Sequence, residues 1–465
     1  MRSSPCNDRR SQHSQRAPVR SLARLRKRTR PFCVFVRPIL WIVLRIQLIL
    51  LTLLQSCDRI AIDPPNISSD GQIREYLRLA VGLGERDPDA LDYYYGPEEW
   101  VADIRRTPPT LFMIRKAARD AAAHLEGGAG DHREFLVRQL RAIEARADLL
   151  LGGRRSFSEE ARVFFGIAEI PPGSDTAPLL QSIDALLGGN NKHAERPLAA
   201  RYAVFDSRFT IPAERLPQVM SRALEECRVR TAMHLELPPG EKVSLEYVHN
   251  KAWSAYSSYR GNYLSVIEVN TDLALTVDRA LSLACHEGYP GHHVFNSLTE
   301  QRLVRTKLRP ALAAQLTFSP QSLVSEGAAS VAPELAFSQE ERVLFEKKVL
   351  FPLAGLSSEE ADRDLKVNGL IDALHPTELG IARRYLDGEL EFVRAAEAFR
   401  DEVTMPDAEA TLRYLNQYRS YVVTYTLGRD LVRSWLERRA HKRNDGKGMW
   451  GALEDLIARP EALFH

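Results

Sequence analysis

The segment His286–His293 has the sequence His-Glu-Gly-Tyr-Pro-Gly-His-His, which places three of the twelve histidines of the chain beside a carboxylate. Neutral imidazoles hold zinc in proteins, and a nearby carboxylate can deprotonate the water that the metal activates. These residue types are therefore those of a zinc hydrolase. The spacing departs from the usual H-E-x-x-H pattern, because Pro290 stands where the second histidine would be.

The proline predicts an irregular helix at this point. In a regular α-helix His292 would point away from His286, and His293 would lie about 10 Å further along the axis. Pro290 lacks an N–H and clashes with the carbonyl of residue 286, whereas Gly291 accepts distorted dihedral angles. We therefore predict a bulged or broken helix, with His292 as the second zinc ligand. His293 is the alternative ligand, or a donor to the transition state.

A zinc hydrolase needs a third protein ligand, and a downstream acidic residue on a helix is a common source. Glu326 lies 34 residues after His292, among small and apolar residues where an unpaired charge would be costly. We predict that Glu326 completes the Zn²⁺ site. Glu334, eight residues later, is a candidate for a hydrogen bond that orients one of the metal ligands.

The chemistry also needs a proton carrier and a donor to the oxyanion. Glu287, next to the first histidine, is the predicted general base. Tyr421 and Tyr425 stand four residues apart on a predicted helix and are the candidate oxyanion donors. The alternative interpretation of these tyrosines is a half-buried aromatic face. Trp253 and Tyr256 either line a cleft or pack on the sheet described next.

Long amphipathic segments separated by Gly- and Pro-rich breaks surround the motif. Their apolar spacing predicts helices near residues 72–83, 109–125, 131–151, 157–168, 177–187 and 213–233 before the motif, and near 321–337, 339–349, 376–399, 408–418 and 420–441 after it.

Two segments before the motif, Val243–Val248 and Tyr263–Val269, are rich in β-branched and aromatic residues and predict strands. Residues 270–272 are typical of a helix cap, which predicts the start of the helix that leads to His286. The predicted fold is mainly α: a large helical domain around a cleft, with a small central β-sheet next to the metal-site helix. We assign residues 72–465 to this single domain and residues 58–71 to a linker.

Charge is unevenly distributed along the chain, whose formal net charge is +2. Residues 1–57 hold 12 of the 63 basic and one of the 61 acidic residues, which leaves 51 basic and 60 acidic residues and a net charge of −9 from Asp58 onward. An acidic domain offers no basic surface for nucleic acid, so no nucleic-acid partner is predicted.

The N-terminal 57 residues have the pattern of an export signal. An Arg-rich stretch precedes the apolar run from Pro38 to Leu54, as in secretory signals. Cys57 follows a small residue as in a bacterial lipobox, and the alternative is a retained anchor of about 17 residues, interrupted by Arg45. We predict a protein of the cell envelope on the periplasmic or extracytoplasmic side, held at the membrane as a lipoprotein.

The motif, followed by Ser325-Glu326-Gly327, resembles the bacterial family catalogued as domain of unknown function 885. Its members resemble helical gluzincin metallopeptidases of the carboxypeptidase Taq and oligopeptidase type. The similarity runs from Tyr93–Pro97 to Tyr418–Gly428. The resemblance implies the same roles for the site residues: His286 with His292 or His293 and Glu326 as ligands, and Glu287 as general base.

The resemblance also implies an extended substrate along a sheet edge near Tyr263–Asn270. The family often has an aromatic segment after S-E-G, where this chain has Ala328–Val331, so we expect a pocket wall of smaller side chains there.

Three functions follow in order of preference. The first is an exported zinc peptidase acting on a peptide substrate. The second is a zinc amidase or other hydrolase of non-peptide substrates, and the third is an inactive envelope protein with a remnant site. Retention of both Glu287 and Glu326 disfavours the third. Side-chain preference, endo- or exopeptidase action and oligomeric state are not determined by these motifs.

Overall fold

Helices dominate the computed structural model, which describes residues 71–127, 130–173, 175–188 and 195–464. The mainly-α class predicted from the sequence is confirmed. The basic region, the signal or anchor segment with Cys57, and residues 58–70 of the linker lie outside the described residues. Within the described part, no helix is both long enough and apolar enough to cross a membrane.

The first half of the described chain is a series of helices with local start signals. Thr110 accepts a hydrogen bond from the Met113 amide, and Ser156 forms a capping box with Glu159. The helices are Gly71–Gly84, Ala102–Arg106, Leu111–Leu125, Asp131–Leu150, Phe157–Phe165, Ala177–Leu186, Leu198–Asp206 and Leu216–Ala232.

Five short strands form two small sheets in the described part of the chain. The strands are β1 (Leu91–Tyr94), β2 (Lys242–Val248), β3 (Ala255–Tyr259), β4 (Leu264–Asn270) and β5 (Ala314–Leu316). One sheet pairs β1 with β5, and the other has the order β2–β4–β3, with β2 parallel and β3 antiparallel to β4. The expectation of a sheet edge at residues 263–270 is therefore wrong. Because β2 and β3 occupy both sides of β4, the open edge that faces the cleft belongs to β3.

The second half is helical again. The helices are Val277–Leu283, His292–Thr299, Pro320–Ala336, Gln339–Phe345, Phe351–Ala354, Ala361–Asp372, His375–Leu386, Phe392–Val403, Ala408–Tyr418, Leu427–His441 and Gly448–Ala458, with π-helical turns at Ala284–Gly288, Glu300–Thr306 and Glu346–Leu350.

Two predicted boundaries in this half are wrong. The segment 376–399 is two helices, separated after Leu386 where Gly388 takes a φ of +80°, a conformation that favours glycine. The segment 420–441 begins with a 3₁₀ turn at Arg419–Thr424, and its α-helix starts at Leu427. This 3₁₀ turn carries Tyr421.

The helix that leads into the motif begins later than predicted. Thr276 caps it by accepting a hydrogen bond from the Arg279 amide at 3.3 Å. Residues 270–272 are not the cap, because Asn270 is fully buried and its side-chain amide donates to the carbonyls of Lys251 and Trp253 at 3.1 and 3.0 Å. These bonds hold the loop before β3 against the end of β4.

The helix Pro320–Ala336, which carries Glu326, approaches the helix Leu427–His441 very closely. A Cβ atom on Gly327 would lie 2.5 Å from the carbonyl oxygen of Gly428. Gly327, which has no Cβ, permits this approach, which places the 3₁₀ turn at Arg419–Thr424 beside the Glu326 side chain.

Candidate metal centre

The histidine motif does not form one continuous helix. The helix Val277–Leu283 continues as a π-helical turn over Ala284–Gly288, the chain then leaves the helix, and a new helix begins at His292. The predicted irregularity at Pro290 is confirmed, but it is a break between two helices and not a bulge within one.

Gly291 permits the break. Its amide donates to the carbonyl of Cys285 at 3.0 Å, so the chain folds back on the turn it has just left. A Cβ atom at this position would lie 1.8 Å from the carbonyl oxygen of His286, which no side chain could tolerate. Glycine is therefore required here by close approach of backbone to backbone.

The fold brings three of the predicted ligands together. Nε2 of His286 lies 3.3 Å from Oε2 of Glu326, and Nε2 of His292 lies 3.4 Å from Oε1. The three ligand atoms all lie within 4.8 Å of one another. Two imidazole nitrogens and one carboxylate oxygen are the donor set of a catalytic zinc site with an open position.

Glu326 has the electrostatics of a ligand. Its side chain is buried, and Oε2 accepts no hydrogen bond from the described residues. Burial alone would raise the pKa of Glu326, but the charges of His292 and His286 lower it well below its usual value. Burial lowers the pKa of His292, but the neighbouring Glu326 carboxylate raises it more, to about 9. A buried carboxylate oxygen without a donor is a vacant lone pair that a cation would fill.

His293 does not join the three ligands. It is fully buried on the other side of the helix, with Nε2 2.9 Å from Glu241 Oε2 and Nδ1 2.8 Å from Ser265 Oγ. Burial raises the pKa of Glu241, but hydrogen bonds from His293, Tyr289 and Arg228 lower it to about 2. Both ring nitrogens of His293 therefore contact residues on or next to the sheet β2–β4–β3, and these contacts connect the motif to that sheet.

The two predicted tyrosines occupy different positions. Tyr421 donates to Glu326 Oε1 at 2.7 Å and is buried, so its hydroxyl is committed to the carboxylate. The Tyr425 ring centroid lies 6.3 Å from that of His286, and its side chain is 36% exposed. The hydroxyl groups of Tyr414 and Tyr425 lie 3.4 Å apart, and both residues line the cavity described next. Ser325 adds a contact of 3.2 Å from its Oγ to His292 Nδ1.

The three clustered residues open into a cavity of about 290 Å³. Glu287 lines it, is only 6% exposed, and has no hydrogen-bond or ion-pair partner among the described residues. Half of the other residues on the wall are aromatic or acidic, and these are Asp89, Asp92, Trp253, Tyr256, Glu268, Tyr414, Tyr418, Tyr421 and Tyr425.

Asp92 was not found from the sequence. It lies in β1, accepts a hydrogen bond from Tyr256, and burial raises its pKa to about 6. Nothing in the local sequence distinguishes this aspartate, because its place on the cavity wall depends on the pairing of β1 with β5 and on the packing of β3. Trp253 and Tyr256 line the cavity, which is the first of the two positions predicted for them.

Two expected contributions to the site are absent from it. Glu334 forms an ion pair with Arg433 and has a side chain that is 48% exposed, so it supports no ligand. Residues 328–331 do not line the cavity, because Ala328, Ala329 and Val331 are buried in the helix packing. Both differences follow from the orientation of the helix Pro320–Ala336, which turns only Ser322, Ser325 and Glu326 toward the cavity.

No family model matches the chain, and no curated protein matches it in sequence. Solved structures that are similar to it include two bacterial proteins. A "putative lipoprotein" from Colwellia psychrerythraea has 14% identity and a TM-score of 0.49, over 77% of this chain and 66% of that one. A "putative lipoprotein of unknown function" from Shewanella oneidensis has 13% identity and a TM-score of 0.40, over 77% of this chain and 73% of that one.

Proposed function

We propose that the protein is a zinc-dependent peptidase of the cell envelope. The observation that carries the proposal is the convergence of His286, His292 and Glu326 within 4.8 Å beside a cavity lined by Glu287. The vacant lone pair of Glu326 Oε2 supports a bound cation. The resemblance to domain of unknown function 885 and to gluzincin peptidases belongs to this proposal, as does tethering through the N-terminal region.

His286, His292 and Glu326 would hold the ion. Zinc, when bound, lowers the pKa of a coordinated water molecule and polarises the substrate carbonyl. Glu287 then accepts the proton of the attacking water and passes it to the leaving amine. Its position on the cavity wall without a salt bridge to the described residues favours this role, because the carboxylate is not committed to a cation of the protein.

Tyr425 and Tyr421 have different roles in this proposal. Tyr425 presents its hydroxyl proton to the cavity and would donate to the oxyanion that develops on the substrate. Tyr421 keeps Glu326 in place through the bond to Oε1, and Ser325 does the same for His292. The open edge of β3 provides unpaired backbone groups along which an extended peptide would lie.

Metal analysis and peptide cleavage test the proposal. We expect about one equivalent of zinc per chain after gentle purification, and less than about a tenth of an equivalent would refute the enzyme. A peptide library should be cleaved by the wild-type protein, whereas Glu287→Gln should retain zinc and lose at least about 100-fold in kcat.

Matched variants identify the ligands. His292→Ala should abolish stoichiometric zinc binding, whereas His293→Gln should keep it, because His293 contacts Glu241 and Ser265. Glu246→Gln, an exposed position on β2, controls for the loss of a carboxylate. Zinc binding without cleavage of any peptide would instead favour a hydrolase of non-peptide substrates.

A further inference from the structure

We propose that the cavity wall beyond the metal centre is a subsite for a positively charged group of the substrate. The group is an ammonium or guanidinium, supplied either by a free α-amine or by a lysine or arginine side chain. This inference rests on the proposed function, since it names the substrate class of the same site.

The charges on the cavity wall are strongly unbalanced. The wall has five carboxylates and one ammonium group. The ammonium group is that of Lys251, and the carboxylates are those of Asp89, Asp92, Glu268, Glu287 and Glu326. With Glu326 assigned to the metal and Glu287 to proton transfer, three carboxylates still face the substrate. A cleft with walls of one sign concentrates ligands of the opposite sign.

The carboxylates converge on one tyrosine of the sheet edge. Glu268 on β4 is directly beside Tyr256 on β3, and the Tyr256 hydroxyl donates to Asp92. Glu287 lines the same cavity wall, and burial together with the charges of these three carboxylates raises the pKa of Tyr256.

Two of these carboxylates are without a partner. Neither Glu268 nor Glu287 has a hydrogen bond or ion pair with the described residues, and Glu287 is more than nine-tenths buried. A carboxylate removed from water without a partner is destabilising. A substrate cation between Glu268 and Asp92 would supply the partner that Glu268 lacks.

The same wall already holds an alkylammonium group. Nζ of Lys251 lies 5.4 Å from the centroid of the Trp253 ring, within the range of cation–π attraction. No ion pair joins Lys251 to a carboxylate in the described part of the chain. The Trp253 and Tyr256 rings lie 5.6 Å apart, so this aromatic surface is continuous with the Asp92 carboxylate.

Four non-cleavable ligands test the inference by calorimetry on the zinc-loaded protein. They are ketomethylene dipeptide isosteres with lysine or norleucine as first residue, each with a free or an acetylated α-amine. We expect the ligand with both cations, and at least one of the two ligands with a single cation, to bind at least about tenfold more tightly than acetyl-norleucine, which has none. Acetyl-lysine tests the side chain and free norleucine tests the α-amine, so the tighter of the two identifies the source.

The variant Glu268→Gln should reduce this preference to less than about threefold. Glu246→Gln is the matched control, because Glu246 is in register with Glu268 on β2 but lies outside the cavity. Asp92→Asn provides a second test should Glu268→Gln fail to fold by circular dichroism. Equal binding of all four isosteres, or an equal loss in the Glu246 variant, would overturn the inference.

The outcomes separate this inference from the proposed function. A preference for cations without cleavage of any peptide would refute the peptidase and leave the cation subsite standing. Peptide cleavage that is indifferent to charge, together with equal isostere binding, would leave the peptidase and remove the subsite.

Discussion

The hydroxyl of Tyr421 donates a hydrogen bond of 2.7 Å to Oε1 of Glu326, and Ser322 donates in turn to that hydroxyl at 3.3 Å. The bond joins the 3₁₀ turn at Arg419–Thr424 to the helix that carries the third candidate ligand. It fixes one carboxylate oxygen while the other remains without a donor. A tyrosine predicted to act on substrate is therefore hydrogen-bonded to a candidate metal ligand.

Tyr421→Phe should weaken zinc binding about 10- to 100-fold, because removal of a group that orients a ligand typically costs that much. Competition with a chromophoric chelator measures the change. Tyr418→Phe is the control, since the Tyr418 hydroxyl donates to Asp89 at 3.3 Å and does not contact Glu326. Unchanged zinc affinity in Tyr421→Phe would contradict the positioning role.

Tyr425→Phe should reduce peptide cleavage and leave zinc binding almost unchanged. We expect kcat for peptide cleavage to fall by about 100-fold, as for removal of one oxyanion donor, with zinc affinity within about twofold of wild type. Steady-state kinetics and the same chelator assay measure both. Tyr414→Phe should have a smaller effect on kcat, because Tyr414 only donates to the Tyr425 hydroxyl. A loss of zinc in Tyr425→Phe would show that the hydroxyl has been assigned wrongly.

Gly291→Ala should disrupt the metal centre, because its Cβ would lie 1.8 Å from the His286 carbonyl oxygen. The backbone of a candidate ligand would have to move, at a cost of at least about 3 kcal/mol in the free energy of unfolding. Denaturant unfolding and zinc content measure the effect. Gly288→Ala is the comparison: its Cβ would meet the end of the flexible Leu224 side chain, which can rotate away.

Stability should also depend on a buried acid remote from the site. Burial first, and then the charges of Asp278, Asp206 and Glu346, raise the pKa of Asp364 to about 8. The folded protein therefore holds a proton that the unfolded chain releases near its ordinary pKa of 3.8. Stability contributed by this group is present at low pH and is lost as the pH rises from about 4 to 8.

Asp364→Asn should remove that dependence. We expect a gain of about 2 kcal/mol or more in the free energy of unfolding at pH 8, and little change at pH 4. Asp362→Asn, at an exposed position paired with Lys347, should show no such gain. Urea unfolding at the two pH values measures both variants, and equal effects at pH 4 and pH 8 would contradict the raised pKa of Asp364.

Local sequence was sufficient for much of the fold. Helical spacing predicted most helices, and the structure shows local start signals such as Thr110 and Ser156, which act within a few residues. Spacing failed at Gly388, where one glycine at positive φ divides a continuous apolar pattern. The sheet edge that the family resemblance implied was also wrong, because the pairing of β4 with both β2 and β3 is set by contacts between separate segments of the chain.

The sequence by itself determined that the chain must break near Pro290 and that histidines and a carboxylate stand on either side, because proline and glycine restrict the backbone wherever they occur. Only the tertiary structure decided between two adjacent histidines. His292 faces Glu326 across the cleft, whereas His293 is held by Ser265 and Glu241 from the opposite side. Adjacent residues on a helix point about 100° apart, so the packing of each face selects which imidazole reaches the cavity.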